Sequence, residues 1–134
     1  MSNLDKIEGI GPAYMAKLKE AGINSTEQLL EKGANPAGRK ELETATGISH
    51  SLILRWLNNA DLFRIKGIGS EYADLLEAAG VNTVPELAQR SAENLTTKMA
   101  EINEVKKLVR KVPTASQVTD WVAQAKALPR VLTY

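Results

Sequence analysis

The chain has 134 residues, 43% of them hydrophobic and 4% aromatic, with 17 Lys and Arg against 16 Asp and Glu, enough for one domain or two small halves. The absence of Cys excludes disulfides and thiolate metal sites, and the single His, His50, excludes a His-based metal cluster within one chain. The opening Met-Ser-Asn-Leu-Asp-Lys has no apolar run, and no segment nears the roughly 20 apolar residues of a membrane span, so a cytoplasmic protein with no membrane partner is expected.

The first predicted element is a turn, Gly9-Ile10-Gly11, opening a helix whose Tyr14, Leu18 and Ala21 fall on one stripe. Gly22 should end that helix in the left-handed region. Ser25 with Gln28 fits a capping box for a second helix carrying Leu29. Short helices continue to Trp56, Leu57 and Ala60, with His50 at the surface or a helix start.

The pattern then repeats 58 residues on: Gly67-Ile68-Gly69, Tyr72, Leu76, Ala79-Gly80, and Thr83 with Glu86 as a second capping box. A repeat of this period means two copies of one supersecondary unit. We place them at residues 1–62 and 63–134, packed as one pseudo-symmetric, all-α body of four or five short helices per copy. Trp56, Leu57 and Ala60 match Trp121, Val122 and Ala125, now 65 residues apart, so copy two gains about seven residues between Asn94 and Val112. Both Trp residues read as core anchors. Lys106, Lys107, Arg110 and Lys111, at i, i+1, i+4 and i+5, read as one helix face with Leu108, Val109 and Val112 turned away. Val131-Leu132-Thr133-Tyr134 is the one β-like stretch.

Two glycines around an aliphatic residue make a tight turn, and the helix that starts at once presents its first N–H groups and its dipole outward. That is an anion site suited to a nucleic-acid phosphate. A dinucleotide fingerprint needs a third glycine and a preceding strand; Tyr14 and Tyr72 stand at the glycine position instead.

The doubled pattern, hydrophobic–x–Gly–Ile–Gly–x–x–Tyr–x–x–x–Leu–x–x–Ala–Gly–[Ile/Val]–Asn–[Ser/Thr], resembles the helix-hairpin-helix superfamily, best over residues 4–30 and 62–88. It also looks like the small N-terminal helical domain of archaeal and eukaryotic recombinases. Over its whole length the chain is similar to an uncharacterised family, domain of unknown function 4332. The superfamily resemblance implies sequence-independent DNA binding through turn N–H groups; some relatives are protein-binding modules instead. The sequence departs from that pattern after the turns. Copy one has Pro12, which lacks an N–H, and copy two has Glu71 and Asp74, which oppose phosphate at the helix start.

These readings lead to a non-enzymatic protein, without cofactor or metal, that binds nucleic acid weakly and without sequence preference. The candidate binding residues are Gly9, Ile10, Gly11, Ala13, Lys17, Gly67, Ile68, Gly69, Ser70, Lys106, Lys107, Arg110 and Lys111. Copy one and the basic cluster are expected to contribute more than the second turn. The alternative, favoured by the near-neutral charge, is a protein-interaction module.

Overall fold

The computed structural model describes residues 4–134; Met1–Asn3, part of the opening read above as lacking an apolar run, lie outside the described residues. Among the described residues the chain is all-helical, with no β-strand. A single 3-10 turn, Leu4–Lys6, precedes eight α-helices: α1 Pro12–Glu20, α2 Thr26–Lys32, α3 Pro36–Thr46, α4 His50–Leu62, α5 Ser70–Ala78, α6 Val84–Ala88, α7 Ala92–Lys106 and α8 Ala115–Ala127. No helix among the described residues is long and apolar enough to cross a membrane.

The chain divides into two compact units, Met1–Asp61 with Val131–Tyr134, and Leu62–Arg130. In the first, α3 packs on α1 and α2. Leu18, Leu29, Leu42, Ile53, Trp56 and Leu57 are buried there. In the second, α8 packs on α6 and α7, and α5 packs on α7. Its core gathers Ile65, Leu76, Leu87, Leu95, Met99, Val118 and Trp121. The two Trp residues are 1% and 2% exposed, the core anchors that their apolar neighbours implied.

The helix ends follow from local sequence. α1 and α5 close with Schellman motifs: Ile23 N–H donates to Leu18 O and Val81 N–H to Leu76 O, each at 2.8 Å, while Gly22 and Gly80 take φ +86° and +91°. Ser25 Oγ accepts from Gln28 N–H at 3.1 Å, but Gln28 Oε1 reaches past the cap to Asn24 N–H at 2.7 Å. Glu86 does the same to Asn82 N–H, at 2.7 Å, and the Thr83 side chain makes no cap bond. The two expected capping boxes are therefore a cap plus a back-reaching amide, and a back-reaching carboxylate alone. A complete box forms at α8, between Thr114 and Gln117. His50 starts α4, exposed, as expected.

Two further expectations fail. Val131–Tyr134 forms no strand; it is a short irregular segment held by Ala34 and Arg39. The cluster Lys106, Lys107, Arg110 and Lys111 does not share a helix face, because α7 stops at Lys106 and Lys107 turns left-handed, φ +52°. Residues 108–114 then form a loop, eight residues from α7 to α8 where α3 and α4 are joined by three. Much of the extra length of copy two sits there.

Candidate functional site

Both turns are built alike. Ile10 N–H donates to Ile7 O at 3.3 Å and Ile68 N–H to Ile65 O at 3.2 Å, and the two middle Ile side chains are buried. Gly9 and Gly67 hold φ +93° and +100°, open to glycine and strained for other residues. Each also lies over a Trp. A Cβ on Gly9 would come 3.7 Å from Trp56 Nε1, and one on Gly67 only 2.9 Å from Trp121 Nε1. Tyr14 packs edge-on against Trp56 with ring centroids 5.2 Å apart, and Tyr72 lies tilted against Trp121 at 5.1 Å. The Trp under each turn thus supports both the first glycine and the first-turn tyrosine.

The second glycine of each turn is different. Gly11 and Gly69 are the N-caps of α1 and α5, in ordinary extended backbone, and a Cβ on either would meet nothing within 4 Å. The fold does not require glycine at these two positions. No side chain caps either helix, so the N–H groups of its first turn face open space.

What surrounds the turns separates them. At the first, Pro12 removes one N–H, and Lys17 Nζ, 5.9 Å from the Tyr14 ring centre, is the nearest downstream cation of α1. At the second, a hollow of about 400 Å³ is lined by Gly67, Gly69, Ser70, Glu71, Tyr72, Arg110 and Lys111. The α7–α8 loop is fixed against this turn. Tyr72 Oη donates to Lys111 O at 3.1 Å. Asn103 Nδ2 donates to Val109 O at 3.1 Å while its Oδ1 accepts from Val109 N–H at 2.9 Å, and Val109 and Pro113 are buried. Lys106 and Lys107 stay exposed at the end of α7 and do not line the hollow.

The structure thus brings together Gly67, Gly69, Ser70, Arg110 and Lys111 from the sequence-predicted set. Gly9, Gly11, Ala13 and Lys17 stand together at the other turn, in the other unit. Sequence reasoning missed Asn103 and Val109, which aim the loop. The signal was present: an apolar Val109 among cations, closed by Pro113, is a poor helix face and a good anchored loop.

The chain belongs to the family described as Domain of unknown function (DUF4332), whose model matches residues 8–128. No curated protein and no solved structure matches it.

Proposed function

We propose that this is a non-enzymatic cytoplasmic protein that binds nucleic acid weakly and without sequence preference, with phosphate seated at the second turn. The observation that carries this reading is the hollow where an open helix N-terminus, the Ser70 hydroxyl and two cations converge. The net charge of +1 conceals a segregation. Residues 106–111 carry four cations, so the rest of the chain carries +1 − 4 = −3. Among the described residues none of the four enters an ion pair. The resemblance to helix-hairpin-helix proteins supports the same reading. Glu71, in the same hollow, opposes phosphate and keeps the affinity low.

Anisotropy titration of labelled duplex and single-stranded DNA at stepped salt tests the proposal. Binding should be indifferent to sequence, with a shallow slope of log affinity against log salt, about −0.9 per duplex phosphate engaged. Gly69→Val should weaken binding while folding normally, since its extended backbone suits a β-branched residue and the space is open. No binding to DNA or RNA even at low salt would remove this reading and leave an acidic protein partner as the one to pursue.

A further inference from the structure

The buried guanidinium of Arg39, 3% exposed, has no role at either turn. Its Nη1 donates to Gly33 O at 2.8 Å, within its own unit, and its Nη2 donates to Thr133 O at 2.6 Å. Thr133 N–H in turn donates to Ala34 O at 2.8 Å. Both main-chain groups of Thr133 are therefore satisfied by the α2–α3 connection and the helix that follows it, and its hydroxyl also donates to Ala34 O at 3.2 Å. The flanking residues are read by side chain. Leu132 is 2% exposed, shut away from water. The Tyr134 ring lies 5.3 Å from the Arg39 guanidinium and its hydroxyl donates to Asn58 Oδ1 at 3.0 Å.

This is how proteins take extended peptides: main-chain hydrogen bonds at one residue and side-chain seats at its neighbours. The contacts read a pattern: an aliphatic residue, then Thr133, whose main chain bonds Ala34 and Arg39 and whose hydroxyl also donates to Ala34 O, then Tyr. The first seat excludes a charged residue because it is dry; the last selects an aromatic with a donor at its tip, through Arg39 and Asn58. The segment that fills the seats belongs to the same unit but is separated from the rest of it along the chain, since Leu62–Arg130 intervenes between Asp61 and Val131. Nothing covalent within the first unit fixes it there.

We propose that Ala34, Arg39 and Asn58 form a peptide-recognition site, held in cis by Leu132–Tyr134, that takes an aliphatic–Thr–Tyr segment from another protein when its own is displaced. The site is independent of the nucleic-acid reading, sharing no residue with the second turn.

The test uses a labelled, amide-capped peptide of residues 129–134 and the full chain. Leu132→Ser weakens the internal occupant without touching the receptor residues. That variant should bind the peptide at least tenfold more tightly than the unaltered chain, because the unaltered chain presents a filled site. Adding Arg39→Gln, or changing Leu to Ser in the peptide, should abolish the gain. Helical circular dichroism checks folding; if Leu132→Ser does not fold, Tyr134→Ala, which leaves the buried Leu132 in place, should give a smaller gain of the same sign. Equal binding by variant and unaltered chain, or none by either folded variant, overturns the proposal. So does self-association of the unaltered chain without binding of free peptide, which would make a second copy the occupant.

Discussion

The two Gly-Ile-Gly turns share their scaffold and differ in their surroundings. Each has a glycine at positive φ over a Trp, a Tyr against that Trp, and an extended, uncapped glycine at the head of a helix. At the first, Pro12 removes a donor. At the second, the longer α7–α8 loop delivers Arg110 and Lys111. The comparison teaches that two copies of a motif can share a local scaffold while their chemistry is assigned by the residues around them that differ.

The scaffold half of the comparison is open to the largest perturbations. Trp56→Ala and Trp121→Ala should each cost about 3–5 kcal/mol in urea denaturation, the range for emptying a buried aromatic site. If one costs far less than the other, the two turns do not rest on equivalent supports. Gly67→Ala should be next, losing about 3 kcal/mol, because it combines positive φ with a 2.9 Å approach to the Trp121 ring. Gly9→Ala, with 3.7 Å of room, should lose only about 1–2 kcal/mol, the backbone share. Equal losses would show that backbone strain alone governs both.

The surroundings half is tested by charge. Replacing Arg110 and Lys111 with Ala should weaken DNA binding about tenfold, roughly 1.4 kcal/mol, and flatten the salt dependence. Replacing Lys17 and Lys19 should change neither. The reverse result would return the site to the first turn. Smaller again, Ser25→Ala should cost about 1 kcal/mol through its lost cap, while Thr83→Ala has no cap bond to lose. Thermal melts of both variants separate these cases, and an equal loss would show that Thr83 matters through its burial.

The weakest effect concerns acid. Lys32 Nζ donates to Glu41 and holds its carboxyl below the ordinary carboxylate range, first by the hydrogen bond and then by charge. A depressed folded pKa adds stability above the unfolded value near 4.5, lost as pH falls through the folded value. The pair is exposed, so salt screens it. Glu41→Gln should lower the melting temperature slightly at neutral pH and low salt, and the difference from the unaltered chain should vanish at high salt and as pH falls through the folded carboxyl's range.

Much of this was legible in the sequence for physical reasons. The stripe Tyr14, Leu18, the closing glycines and the matched Trp residues are local or periodic signals, and the helices and cores follow from them. The basic cluster was misread because its helix stops on Lys107, a residue that rarely takes the left-handed conformation and so gives no stop signal. The adjacency of Arg110 and Lys111 to the second turn is a long-range fact, fixed by Asn103 and Tyr72, that no spacing rule carries. Arg39 was passed over because a cation within a polar helix reads as surface, whereas its carbonyl partners lie six and 94 residues away.

The reciprocal pair of hydrogen bonds between Asn103 and Val109 bears on how a ligand would be met. A basic segment on a floppy arm must surrender its conformational entropy at the moment of association, and affinity falls by that amount. Here the amide imitates a backbone partner and fixes the loop beforehand, so the two cations are preorganised. Binding should then show little of the heat-capacity change that accompanies coupled folding. Asn103→Ala, by freeing the loop, should weaken association through entropy while every charge remains in place.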